Sequence, residues 1–160
     1  MDFKRYRGYL ILVLCLVLLD QLVKYFFISF FQNSQIFTNQ LRVTAIFDIV
    51  YVWNHGISFG LFQGVQNINI VFFLVNFIII VYFVLMLFKA YTGSVLVLSL
   101  SFIVGGGISN LIDRVFYGAV FDFISLHYKG FYFPAFNIAD ACITVGGLIW
   151  FYTYVKHSEK

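Results

Sequence analysis

Four nearly unbroken apolar stretches run along the chain, at about 8–27, 69–88, 94–112 and 138–155. Each is close to the roughly 20 residues that a helix needs to cross a bilayer. Backbone polar groups inside lipid must be satisfied within their own segment, so helices are the predicted form. Between the first two stretches the pattern changes. Residues 41–49 read L-R-V-T-A-I-F-D-I. That approximate alternation sets Arg42, Thr44 and Asp48 on one face and predicts a half-exposed strand. Residues 130–136, G-F-Y-F-P-A-F, suit an aromatic belt at a membrane surface. The pattern predicts an all-α integral membrane protein with four transmembrane helices and a small β-like extracytoplasmic element. It reads as a single membrane-embedded domain over 1–160.

Composition agrees. The 160 residues are 62% hydrophobic and 11% charged, with a mean hydropathy of +0.93, which excludes an ordinary soluble domain. The net charge of +3 is explained by where the basic residues fall. Lys4, Arg5 and Arg7 precede the first stretch, Lys89 lies between the second and third, and Lys156 and Lys160 follow the fourth. With four spans these positions share one side, which the excess of basic residues marks as cytoplasmic. The charge therefore reads as topology, and no nucleic-acid partner is expected. A basic start before an apolar run also resembles a signal peptide. Here the run continues past Asp20 to Phe31 without a small-residue cleavage site, so an uncleaved helix is predicted. Cys15 and Cys142 fall inside predicted helices without metal-ligand spacing and read as buried apolar side chains. His55 and His127 fall in the outer loops and are expected to face solvent.

Carboxylates are scarce, and the topology gathers most of them. Asp20 and Lys24 lie toward the outer end of the first helix, four residues apart on one face. Asn110, Asp113 and Arg114 lie at the outer end of the third, again at helical spacing. Asn137 and Asp140 open the fourth, and Asp122 lies in the short connection between the third and fourth. Four aspartates thus come to one membrane boundary, where ionisable groups are costly and usually functional. Lys24 and Arg114 are placed to neutralise Asp20 and Asp113. Asp122 and Asp140 have no adjacent cation in sequence. Two close carboxylates hold one proton between them, so one can accept a proton from water while the other donates to a carbonyl oxygen. That chemistry needs neither metal nor cofactor, and none is expected.

The chain resembles lipoprotein signal peptidase, signal peptidase II, of bacteria. The motifs that carry the resemblance appear in order: D-Q-L-V-K at 20–24, N-H-G-I-S-F-G at 54–60, G-G-G-I-S-N-L-I-D-R at 105–114, V-F-D-F-I at 120–124 and F-N-I-A-D at 136–140. The resemblance implies a membrane aspartic endopeptidase. It would remove the signal peptide of a diacylglyceryl-modified prolipoprotein, cutting just before the lipidated cysteine. It implies Asp122 and Asp140 as the catalytic pair. It implies roles in holding site and substrate for Asp20, Lys24, Asn54, Gly56, Asn110, Asp113, Arg114 and Asn137. The expected location is the bacterial cytoplasmic (inner) membrane, with both termini cytoplasmic and the active site at the outer face. The expected partners are prolipoprotein substrates and membrane lipid. The site needs only one chain, so a monomer is expected. Two departures stand out: Ile57 and Ser58 replace the small residues, often Ala-Ala, that usually follow the second motif's glycine, and Ser109 replaces the glycine usual before Asn110. Both bear on the shape of the substrate pocket and leave the acids in place.

Three other classes would also cluster acids in a membrane. An ion-coupled transporter would set them near the midplane, often within internal repeats, and no repeat is seen. A metal-dependent headgroup transferase would be stopped by chelators. A non-catalytic scaffold would be indifferent to Asp→Asn changes. The loop over 28–68 is long for a plain connection, and its strand-like part is expected to guide the signal peptide toward Asp122 and Asp140.

Overall fold

In the computed structural model, residues 3–34, 38–56, 68–90 and 95–158 are described. The chain order is α1 (Phe3–Asn33), β1 (Gln40–Arg42), β2 (Phe47–Asn54), α2 (Ile68–Lys89), α3 (Val95–Tyr117), β3 (Val120–Tyr128), β4 (Phe131–Tyr132) and α4 (Ile138–Ser158). Four of these helices are long and apolar enough to cross a membrane. Residues Ile57 and Ser58 lie outside the described residues, as do Asp2, Glu159 and Lys160.

The helix α3 is the hub, with α1, α2 and α4 packed around it. Its G-G-G run explains how three neighbours reach one helix. Successive residues point about 100° apart around a helix. A side chain on Gly105 would meet Leu16 of α1, one on Gly106 would overlap the Ala139 carbonyl of α4, and one on Gly107 would meet Ile80 of α2. Close backbone approach through small residues is a recurrent means of packing helices in lipid. At one end of the bundle Leu87, Ala90, Val97 and Leu100 form a buried apolar cluster. The Tyr6 hydroxyl closes that end by donating to the carbonyls of Phe88 (3.0 Å) and Ala90 (3.1 Å). The start of α1 and the end of α2 therefore lie side by side, as the distribution of basic residues requires.

The helices run past the predicted limits where tertiary partners extend them. Phe27 stacks on Phe123 (5.1 Å between centroids), and Phe31 meets Tyr51 (5.6 Å), so the end of α1 is held against the sheet. The last turn of α3 closes on Gly118, which has φ +70° and donates its amide to the Arg114 carbonyl at 3.1 Å. This left-handed cap suits glycine.

The β element is larger than predicted: one antiparallel sheet in the order β1-β2-β3-β4. Residues 41–49 form a hairpin and not a single strand. The amides of Val43 and Thr44 donate to the Phe47 carbonyl, and the Ile46 amide donates to the Thr44 hydroxyl, which turns the chain. Arg42 and Asp48 still share a face, because they are cross-strand partners. The connection that carries Asp122 is also a strand, β3, paired with β2 through a register shift between Ile49 and Val52. Phe131, Tyr132 and Phe133 are all more than half exposed, as an aromatic belt would be. Cys142 is buried, but Cys15 faces out of the bundle, contrary to expectation. Ile11, Leu18, Leu19 and Leu22, on the same face of α1, are also half or more exposed.

Candidate active site

Polar side chains collect where the ends of α1 and α3 and the start of α4 meet β2 and β3. Asp20, Lys24, Ser109, Asp113, Asp122 and Asn137 are each at most 2% exposed there. Buried charge is tolerable only when it is paired and hydrogen-bonded. The Lys24 ammonium meets that condition fully. Its Nζ lies 2.7 Å from Asp20 Oδ2 and 2.7 Å from Asp113 Oδ2, and it donates to Asn110 Oδ1 at 3.1 Å. All three ammonium protons are used.

Asn137 organises the start of α4. Its Oδ1 accepts the Asp140 amide (2.8 Å), and Asp140 Oδ2 accepts the Asn137 amide (3.2 Å). This is a reciprocal capping box, with Asn as the cap and Asp three residues on. Because Oδ1 is committed to the helix, Nδ2 points the other way and donates to Asp122 Oδ1 at 2.8 Å. One asparagine thus holds a carboxylate on each side. Asn54 at the end of β2 donates from Nδ2 to the other Asp122 oxygen (3.0 Å), while its Oδ1 accepts the Gly56 amide (2.8 Å). Asn110 donates to Asp140 Oδ1 at 2.8 Å. Every oxygen of Asp122 and Asp140 therefore accepts one fixed N–H. Burial, and next the nearby Asp140 carboxylate, push the Asp122 carboxyl up to about 7, against the pull of the two asparagines and Lys24. Asp122 thus holds its proton near neutrality.

Asp20, Lys24, Asn54, Asn110, Asp113, Asn137, Asp122 and Asp140 are joined in this network. Gly56 touches it through Asn54, and its φ of +90° and the Phe72 ring 2.5 Å from any added Cβ demand glycine. Arg114 differs from expectation. It does not neutralise Asp113, whose ion pair is with Lys24. Its guanidinium instead lies 6.0 Å from the Phe72 ring centroid, within the field of Asp122, Asp140 and Asp113. Its Nε and Nη1 have no hydrogen-bond partner among the described residues.

Sequence reasoning missed several participants. Gln21 donates to Asp113 and to Ser109. Ser109 is fully buried, and its hydroxyl donates to Asp20. Its place one residue before Asn110 was the available signal. His127 does not simply face solvent. Its Nε2 lies 2.9 Å from the buried Asp48 Oδ2, and its ring stacks on Tyr132. Gln40 donates to the same Asp48 oxygen at 2.6 Å, so this cluster ties β1, β2 and β3 together away from the candidate acids. His55 is exposed, as expected.

The family model described as signal peptidase (SPase) II matches residues 12–156. The chain belongs to the signal peptidase II family. The lipoprotein signal peptidase of Rickettsia bellii (strain OSU 85-389) is 44% identical over 155 residues, covering 93% of this chain and 76% of that protein. That of Rickettsia canadensis (strain McKiel) is 44% identical over 141 residues, covering 86% and 69%. Two solved bacterial membrane enzymes, determined in meso at 2.3 Å and 1.9 Å, each superpose with a TM-score of 0.78. They are 26% and 25% identical, covering 94% of this chain and 89% of the first, and 93% of both in the second case. A membrane protease of the signal peptidase II family, with four helices long and apolar enough to span a bilayer, is therefore what this fold carries.

Proposed function

We propose that the protein is an aspartic endopeptidase in which Asp122 and Asp140 share one proton. It would cut diacylglyceryl-modified prolipoproteins just before the lipidated cysteine, without a metal. The carrying observation is Asn137, which donates to Asp122 through its side chain and to Asp140 through its amide. The elevated Asp122 carboxyl supports a pair that retains a proton at working pH.

The chemistry closes on itself. The ionised acid takes a proton from water as the water oxygen attacks the scissile carbonyl carbon. The protonated acid gives its proton to the carbonyl oxygen, forming a neutral gem-diol. The first acid then passes its proton to the amide nitrogen, the C–N bond breaks, and a gem-diol hydroxyl returns a proton to the second acid. One water is consumed, and the pair is restored. The products are the signal peptide's carboxyl end and a free amino group on the lipidated cysteine.

The roles of Asp20, Lys24, Asn54, Gly56, Asn110, Asp113 and Asn137 in this reading are to hold the pair. Arg114, whose buried Nε and Nη1 have no hydrogen-bond partner among the described residues, would hold substrate. The site would lie at the outer face of the inner membrane with both termini in the cytoplasm. The basic residues at Lys89 and Lys156 and the Tyr6 contacts to Phe88 and Ala90 support that orientation. The hairpin over 41–49 would guide the signal peptide, and one chain would suffice.

The test is a gel-shift cleavage assay on a diacylglyceryl-modified prolipoprotein, with and without chelator. Wild type should cleave in both, and Asp122→Asn and Asp140→Asn should each be inactive while folded. Full activity in either variant removes that residue from the pair. Loss of wild-type activity with chelator removes the metal-free mechanism. Unchanged substrate affinity after deletion of 41–49 removes the guiding role.

A further inference from the structure

We infer that Gln21 and Ser109 are positioning residues: with Lys24 they close a hydrogen-bonded ring through Asp20 and Asp113 that fixes where the two acids stand relative to one another. This rests on the reading of Asp122 and Asp140 as the reacting pair.

One side of the ring is ionic, with Lys24 Nζ 2.7 Å from both Asp20 Oδ2 and Asp113 Oδ2. The other side is built from neutral groups. Ser109 Oγ donates to Asp20 Oδ2 (2.7 Å), and Gln21 Nε2 donates to Ser109 Oγ (3.0 Å) and to Asp113 Oδ1 (2.7 Å). Gln21 also donates to the Ser109 carbonyl at 3.1 Å, which fixes its amide to α3. Two arms leave this ring. Asp20 Oδ1 accepts the Ala139 amide at 3.0 Å, and Asp113 Oδ2 accepts the Phe121 amide at 3.1 Å. Ala139 directly precedes Asp140, and Phe121 directly precedes Asp122. Each arm therefore anchors the backbone one residue before an acid, and the ring joins the anchors.

The two sides of the ring differ in what they fix. An ammonium on a long stem attracts both carboxylates but tolerates a range of angles. A hydroxyl and an amide bond along preferred directions, so the Ser109–Gln21 link sets the spacing. Ser109, Asp20 and Asp113 are at most 1% exposed, and Gln21 is half-buried beside them. The serine at a position where the family usually has glycine supplies the hydroxyl that completes the link.

The spacing matters because Asp122 is held by what faces it: Asp140 from α4, Lys24 from α1, Arg114 from α3, and the Asn54 and Asn137 amides. If the acids drift apart, Asp140 acts less on Asp122. The pair then loses its last proton at lower pH.

The experiment measures kcat and KM on either side of neutral pH for the full chain in detergent. The substrate is a diacylglyceryl-modified prolipoprotein, and the variants are Ser109→Ala, Gln21→Met and the double variant. Expected are a kcat about tenfold lower or more, an unchanged KM, and an alkaline limb moved to lower pH. The double variant should be no worse than the worse single, because both break one link. Folded fraction and Tm are recorded alongside. A lower Tm with wild-type kcat and pH profile per folded molecule means a scaffold only and overturns the inference. Should Gln21→Met not fold, Ser109→Gly breaks the same link with the smallest change, and a wild-type profile there is equally fatal. Asp122→Asn, run in parallel, separates the two readings. If it cleaves, the pair is wrong; if it is inactive while the ring variants behave as wild type, only the ring is wrong.

Discussion

The two ends of α3 are built on opposite principles. Around Val97 and Leu100 the neighbours are Leu87 and Ala90, with Tyr9, Phe83 and Trp150 packed alongside. Around Ser109 and Asp113 they are Asp20, Gln21, Lys24 and the segments leading to Asp122 and Asp140. Both ends belong to the same helices. Apolar packing is a sum of many weak contacts, so losing one costs in proportion to the atoms removed. The polar end is held by a few specific donor–acceptor bonds. Removing a partner strands a charge where water does not reach. Stability should therefore be graded at one end and nearly all-or-none at the other, and only the polar end should couple stability to chemistry.

The sharpest way to break this comparison is Lys24→Met. It leaves Asp20 and Asp113 as facing buried carboxylates, and it should cost about 3–5 kcal/mol. The readout is loss of monodisperse folded protein, partly restored by adding Asp113→Asn.

The next effect is pH-dependent. The Asp122 carboxyl stands at about 7 in the folded chain against an ordinary 3.8. The folded state therefore binds this proton more tightly than the unfolded state does. Its contribution to stability falls as pH rises from about 4 through about 7 and is level beyond. The total is on the order of a few kcal/mol. Melts of wild type and Asp122→Asn across that window should show the slope in the first and not in the second. A parallel pair of curves would contradict the assigned environment.

At the apolar end, Leu100→Ala should lower stability by about 2 kcal/mol or more through the cavity it leaves. The cleavage rate per folded molecule should match wild type. Smallest is Tyr6→Phe, which removes one hydroxyl shared between two carbonyls and should cost about 1 kcal/mol. Cleavage should again be unaffected. A fall in kcat for either variant would mean that the two ends communicate.

Hydropathy alone located the four helices, because the requirement for internal backbone bonding in lipid leaves few alternatives. The common depth of Asp20, Asp113, Asp122 and Asp140 followed from topology. Their bonding did not. Asp113 and Arg114 are neighbours in sequence, yet Asp113 pairs with Lys24, because side chains one residue apart on a helix point in different directions. The β3 strand was hidden because apolar residues occupy both of its faces. Phe121 and Phe123 lie toward aromatic partners such as Phe27 and Tyr51, while Asp122 interrupts the other face. A strand buried on both faces shows little alternation to read. The ties Gln21–Ser109 and Asp48–His127 were illegible for a simpler reason. Each depends on two elements meeting at one register, which no local pattern encodes.

The glycine run of α3 has a consequence for how this sequence can change in length. Gly105, Gly106 and Gly107 each fit against a different helix, so they index the rotation of α3 within the bundle. An insertion or deletion of one residue between Gly107 and Asn110 would turn everything after it by about 100°. Asn110 and Asp113 would then swing away from Lys24 while the glycines stayed seated. A substitution in this segment leaves that register in place, but its spacing works as a ruler, and drift in length should be confined to the connections outside the bundle.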